Sequence, residues 1–248
     1  MSVEGLSVLV TGAGTGIGRS IALCAAREGA FVTAVGRRAE PLREVADKSP
    51  ETIEAVPADV TADGAPERIV AAALARFGRL DAVVNNAGLA RFGRLADTGL
   101  DELDAMLAVN VRAPAALIRA ALPHLEPGRG SVVNVTSVAG TLAMPGRAYY
   151  GAGKAALNSL TRSLARELAP AVRVNAVLPG PVDTPLWHGA GMTEDEQQSL
   201  RAGLLADTPM GRFGEGDEIA GWVCRLIDPE QSGWVTGALI PVDGGRTA

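Results

Sequence analysis

The sequence predicts an α/β fold, a parallel sheet with helices on both faces. Short apolar runs of β type alternate along the chain with alanine- and leucine-rich segments of helical period. Strands that alternate with crossover helices build a parallel sheet. The residues that bear on chemistry fall directly after the strands, at the carboxyl edge where such sheets bind ligands. No internal repeat, low-complexity tract or linker divides the chain. One domain over residues 1–248 is therefore expected.

Leu6–Val10 reads as the first strand, and Ile17, Ile21, Cys24 and Ala25 mark the helix after it. Phe31–Val35 is the second strand, with a polar helix beyond. Thr52–Val56 is the third, followed by a helix over Glu67–Phe77. Asp81–Val84 is the fourth, followed by a long helix around Leu103–Leu122. Ser131–Val135 is the fifth. The helix around Ala148–Leu168 repeats Leu157, Leu160, Leu164 and Leu168 at spacings of three and four, a buried face. Val172–Val177, a helix near Asp217–Ile227 and a last strand at Ala238–Val242 complete the pattern.

At 248 residues, 47% hydrophobic and 21% charged, the chain suits one soluble globular domain with a substantial core. A net charge of −5 gives no footprint for nucleic acid. No apolar run is read as membrane-spanning and no signal peptide is evident, so a cytoplasmic location is expected. Cys24 and Cys224 lack metal-ligand spacing and read as packing in a reducing compartment. His124 and His188 are isolated, and no metal is expected.

After the first strand comes Thr11-Gly12-Ala13-Gly14-Thr15-Gly16-Ile17-Gly18. Its glycines allow a tight turn and close approach of backbone to a pyrophosphate, and the helix that follows offers unpaired N–H groups. After the second strand, Gly36 stands where an acid would bind the ribose 2′-hydroxyl of NAD. Arg37 and Arg38 follow, and guanidinium groups suit the 2′-phosphate of NADP. They also fit a solvated turn paired with Glu40 or Glu44.

Asp59, with Val60, fits two roles: accepting from an adenine amine, or capping a helix that begins near Thr61. Asn86-Ala87-Gly88, after Asn85, either lets the chain pass beside a cofactor or only holds a turn. Pro179-Gly180-Pro181-Val182-Asp183-Thr184 makes a rigid elbow from which Thr184 can reach a nicotinamide carboxamide.

Lys154, one of two lysines in the chain, lies four residues after Tyr150. On a helix that spacing stacks the two side chains on one face. A neighbouring ammonium favours a phenolate, which would lower the tyrosine pKa and suit it to acid–base work. Two exposed helical residues would show the same spacing. Ser137 ends the fifth strand and can face the same cleft, where its hydroxyl would stabilise a developing oxyanion or merely close a local turn. Asn110 is a mediocre helix former inside a long helix and is expected to open it locally and hold a water.

Together these motifs resemble the compact, single-domain branch of the short-chain dehydrogenase/reductase family. The resemblance runs from Thr11 to Pro241-Val242-Asp243-Gly244-Gly245. It rests on Thr11-Gly12-x-x-x-Gly16-x-Gly18, Asn86-Ala87-Gly88, Asn110, Ser137, Tyr150-x-x-x-Lys154 and Pro179-Gly180. It implies a doubly wound, Rossmann-type sheet of seven strands in the order 3-2-1-4-5-6-7. It also implies a tetrad of Asn110, Ser137, Tyr150 and Lys154, NADP rather than NAD, an adenine contact at Asp59 and Val60, and a homotetramer. The implied reaction moves a hydride between nicotinamide and a ketone or secondary alcohol.

The segment over about residues 185–213 is expected to form a substrate lid. Trp187 and His188 are pocket candidates there, with Leu200, Leu204 and Leu205 packing the segment down. Thr141, Met144, Arg147 and Tyr149 would add wall beyond Ser137. The mostly apolar set suggests a ketone of modest polarity, and the resemblance leans towards a 3-oxoacyl or secondary-metabolite ketoreductase. Arg91, Arg94 and Arg129 are too scattered to mark a site for an acyl carrier. A small-residue face of Ala152, Ala156, Ser159 and Ser163 would let another helix approach or would lie on the sheet. Two other classes fit less well: an NADP-sensing regulator, which predicts a broken tetrad, and a dehydratase or epimerase, which predicts a larger substrate extension.

Overall fold

The computed structural model describes residues 3–184, 186 and 192–248. Its strands are β1 (Ser7–Thr11), β2 (Phe31–Gly36), β3 (Ile53–Pro57), β4 (Ala82–Asn85), β5 (Ser131–Val135), β6 (Arg173–Pro179) and β7 (Leu239–Val242). All pair in parallel, in the order β3-β2-β1-β4-β5-β6-β7. This is the sheet expected from the sequence.

The helices are α1 (Gly16–Arg27), α2 (Ala39–Ala46), α3 (Ala65–Phe77), α4 (Leu100–Leu107), α5 (Ala113–Leu125), α6 (Ala148–Leu168), α7 (Glu194–Ala206), α8 (Gly216–Ile227) and the short α9 (Pro229–Ser232). They cover both faces of the sheet because strand residues alternate between two core layers. Val8 and Val10 of β1 pack with Ile21 and Ala25 of α1 and with Ile219 and Val223 of α8. Leu9, between them, packs on the other face with Ile69 and Ala73 of α3 and Leu117 and Ile118 of α5. Each valine, leucine or isoleucine among them contributes about 1.5–3 kcal/mol by leaving water.

The strand order reverses between β1 and β4, so the connections leaving their carboxyl ends diverge and open a crevice. Thr11 holds that crevice together. Its hydroxyl accepts from the Asn86 and Ala87 N–H groups, both at 3.0 Å, and donates to the Val84 carbonyl at 3.3 Å. A buried polar ladder positions α6: Asn85 Nδ2 donates to Asn134 Oδ1, and Asn134 Nδ2 donates to the Thr161 hydroxyl, each at 2.9 Å. Unmade bonds there would cost more than the bonds contribute, so the ladder fixes the rotation of α6 on β5.

Several expectations need correction. The long helix after β4 is three pieces, with a wider π-type turn over Ala108–Arg112 between α4 and α5. The helical run Leu100–Gly128 is also long and apolar enough, by composition, to cross a membrane, which the sequence reading denied. Its Leu117, Ile118, Ala121 and Leu125 are nevertheless buried in the domain core. On α6, Leu157 is buried, while Leu160, Leu164 and Leu168 are half-buried. Ala152, Ser159 and Ser163 are exposed, so the small-residue face of α6 does not lie on the sheet. Cys24 and Cys224 do pack in the core, but the contact of α1 with α8 gathers them with Glu28, donor atoms within 4.8 Å of one another.

Candidate active site

The ends of β1 to β6 and the turns after them surround a cleft of about 710 Å³. At its floor on one side lies the glycine turn. Gly12 and Gly16 have φ of +68° and +54°, the left-handed region that favours glycine. A Cβ on Gly18 would stand 2.2 Å from the Gly12 carbonyl oxygen and 2.3 Å from Asn86 Nδ2, so only glycine fits where α1 meets the turn after β4. Asn86 Nδ2 donates to the Thr11 carbonyl at 2.9 Å. Thr15, the residue before α1, makes no side-chain cap, so the first N–H groups of α1 remain available to an anion beside Ile17.

Farther along the cleft, Arg37 and Arg38 follow β2, both exposed and both lining the wall. Asp59 and Val60 line it after β3. No helix begins near Thr61: α3 starts at Ala65 behind Gly64, so of the two roles the sequence left open for Asp59 the capping one is absent. Asp59 Oδ1 instead accepts from the Thr61 hydroxyl at 2.7 Å and the Thr61 N–H at 2.9 Å. Those bonds, aided by the charge of Arg37, hold the Asp59 carboxyl below its ordinary range. Gly88 also lines the cleft, and a Cβ on it would lie 3.4 Å from Asn110 Oδ1 and 3.7 Å from Lys154 Nζ.

At the other side α6 presents Tyr150 and Lys154, both buried, on one face. Lys154 Nζ donates to the Val135 carbonyl at 3.0 Å and lies 5.9 Å from the centre of the Tyr150 ring. Ser137 is half-buried beside them, and its Oγ accepts from the Ala139 N–H at 3.1 Å. Asn110, fully buried on the π-type turn, accepts from the Leu89 N–H at 3.0 Å and donates to the Leu89 carbonyl at 2.8 Å. The local opening of the helix at Asn110 is thus present, and its amide clamps the segment after Gly88.

The electrostatics differ from the sequence expectation. Burial pushes the Tyr150 phenol up, against opposing pulls from a Ser137 hydrogen bond and the Arg147 guanidinium. The lowering expected from Lys154 is not among the forces on the phenol, and the ammonium donates to the Val135 carbonyl. Burial also lowers Lys154, to about 8. Desolvation disfavours the charged form of each group.

The elbow after β6 packs against the end of the chain. A Cβ on Gly180 would fall 2.6 Å from Asp243 Cα, and its N–H donates to the Val242 carbonyl at 3.0 Å. Pro179, Val182 and Thr184 line the cleft above. Met144 lines it too, whereas Tyr149 does not. Trp187 and His188 lie outside the described residues. In α7, Leu204 is buried and lines the cleft, but Leu205 is 41% exposed and does not pack the helix down.

Among the wall residues that the sequence did not mark, two stand beside Tyr150 and Arg147. Phe92 meets Tyr150 edge-on, with ring centres 5.7 Å apart, and Arg246 reaches in from the penultimate turn. Neither sits in a periodic pattern. The run of loop residues after Asn86 was the one signal that the chain lingers at the cleft there.

Residues 12–247 match the family model described as enoyl-(acyl carrier protein) reductase. An uncharacterized oxidoreductase of Methylorubrum extorquens is 39% identical over 248 residues, covering 98% of each chain. A 3-oxoacyl-[acyl-carrier-protein] reductase of Thermotoga maritima is 36% identical over 250 residues, covering 99% of each. Among solved structures, a 3-ketoacyl-(acyl-carrier-protein) reductase of Brucella melitensis complexed with NADH is 33% identical, covers 100% of both chains and superposes with a TM-score of 0.91.

Proposed function

The chain belongs to the short-chain dehydrogenase/reductase family as a 3-oxoacyl-reductase-like oxidoreductase acting on CH–OH and C=O groups, and from that premise we propose that it is an NADP-dependent ketoreductase. The observation that carries the proposal is the meeting, in one cleft, of a buried Tyr150–Lys154 pair, the Ser137 hydroxyl and the glycine turn.

The residues fit a dinucleotide. Gly12, Thr15, Gly16, Ile17 and Gly18 would hold its pyrophosphate, because the turn brings backbone close and α1 lacks a side-chain cap. Arg37 and Arg38 would hold a 2′-phosphate, with Asp59 and Val60 at the adenine and Asn86, Ala87 and Gly88 along the middle. Pro179, Gly180, Val182 and Thr184 would flank the nicotinamide end. When bound, the cofactor supplies the hydride.

Tyr150 gives its proton to the substrate oxygen. A phenol kept neutral by burial suits a donor. Ser137 donates to the same oxygen and polarises the carbonyl. Lys154 steadies the phenolate that remains and holds the cofactor ribose, and Asn110 holds a water that joins Lys154 to solvent. The segment around α7, with Leu204 on its inner side, serves as the lid, and the protein works as a homotetramer through its exposed helix faces.

The test is turnover. Purified protein is given NADPH or NADH with ketones and, separately, with conjugated enones. Ketone reduction with NADPH preferred at least tenfold in kcat/KM supports the reading. Reduction of the enone C=C bond alone would assign the protein to enoyl reduction instead, and ketones left untouched with both cofactors would contradict the ketoreductase reading.

A further inference from the structure

The wall beyond Tyr150 is not the apolar surface expected from the sequence. Arg147 stacks over Phe92, its guanidinium carbon 5.0 Å from the ring centre, and Phe92 in turn meets Tyr150. Arg246 lines the same end of the cleft. Burial is the main force on Arg147, and the charge of Arg246 works in the same direction, against its own positive form.

The Phe92 ring offsets part of that cost, but no full counter-charge does among the described residues. Among the described residues no carboxylate pairs with Arg147, and the acceptor its guanidinium meets is the Met144 sulfur, at 3.3 Å, a weak one. The residues outside the description include no Asp or Glu, so they cannot supply one. Arg246 is tied to Asp207 at 3.2 Å and to the Leu204 carbonyl at 3.3 Å, yet its buried Nε–H has no acceptor. The one carboxylate in the cleft wall, Asp59, stands after β3 at the far end. A guanidinium half withdrawn from water without a carboxylate partner is costly, as is a buried N–H without an acceptor beside it, and an oxyanion between Arg147 and Arg246 relieves both the repulsion and the unmade bond.

We propose that Arg147 and Arg246 form an oxyanion site, so that the preferred substrates are oxo acids carrying a carboxylate near the carbonyl, rather than neutral ketones or thioesters. The substrate claim rests on the ketoreductase reading above. The anion site itself is open to separate measurement.

The full-length protein with NADPH is assayed on acetoacetate, 3-oxopentanoate and 4-oxopentanoate, and on their methyl esters. At least one acid should exceed its ester tenfold or more in kcat/KM. Arg147→Gln should cut that acid-to-ester ratio at least tenfold, chiefly through KM of the acid, and Arg147→Lys should restore part of it. The ratio matters because any effect of Arg147 on the phenol cancels between the two substrates. In parallel, succinate binding to the NADPH-loaded protein is measured by calorimetry for wild type, Arg147→Gln and Arg246→Gln.

Esters reduced as well as acids, or a ratio unmoved by Arg147→Gln, would overturn the substrate claim. Succinate bound in an Arg147-dependent way without any turnover would keep the anion site and remove the ketoreductase reading. Ester turnover with no succinate binding would do the reverse.

Discussion

Lys154 donates from Nζ to the carbonyl of Val135, 3.0 Å away at the end of β5, so the most deeply buried lysine charge in the chain is pinned to the sheet rather than to the phenol one turn before it. Burial depresses its folded-state pKa to about 8 from an ordinary value of 10.5. Below pH 8 the folded protein bears a desolvated ammonium. Between about 8 and 10.5 the unfolded chain binds a proton that the folded chain does not, so stability from this group rises with pH. Lys154→Met removes that dependence. The melting temperature of wild type relative to Lys154→Met should therefore climb from pH 7.5 to 10. A difference that stays flat, or falls, would show that the ammonium is not desolvated. Turnover of the variant should fall at least a hundredfold at every pH.

Gly18 leaves no room for a side chain, since a Cβ would meet the Gly12 carbonyl oxygen and Asn86 Nδ2 well inside contact distance. Both neighbours belong to the turns that frame the crevice, so the turn itself must move. Gly18→Ala should weaken NADPH binding at least tenfold, read by cofactor fluorescence titration. It should cost about 1–3 kcal/mol of stability in denaturant, the usual penalty of overpacking.

Arg37 is exposed, and no carboxylate pairs with it among the described residues. Its removal should leave stability within about 0.5 kcal/mol. Arg37→Asp should raise KM for NADPH at least tenfold and leave KM for NADH within a few-fold, because only the former carries the phosphate that a guanidinium grips. Equal losses for both cofactors would contradict the assignment of Arg37 to the 2′-phosphate.

Much of this was legible from the chain. Short continuous apolar runs found every strand to within a residue or two, because Val8, Leu9 and Val10 feed opposite core layers and all three are buried. The glycine turn and the Tyr150–Lys154 spacing are local signals, and the structure brings those residues to one cleft. What stayed hidden depends on contacts between distant segments. Asn134 and Thr161 lie 27 residues apart, and only the packing of α6 on β5 makes them partners. Cys24 and Cys224 meet through α1 and α8. The upward shift of the Tyr150 phenol follows from burial, which no i, i+4 spacing reports. Arg147 is one more wall residue in the sequence, and its want of a carboxylate partner is a property of the fold around it.

The most direct test of the central claim is Tyr150→Phe. The change removes one hydroxyl from a buried ring and keeps the edge-on contact with Phe92. Ketone turnover and NADPH binding are measured on the same preparation. Loss of turnover by a factor of about a thousand or more, in line with the loss of a general acid, is expected together with NADPH affinity within threefold of wild type. Turnover that survives at the wild-type level would contradict the assignment of the proton to this phenol.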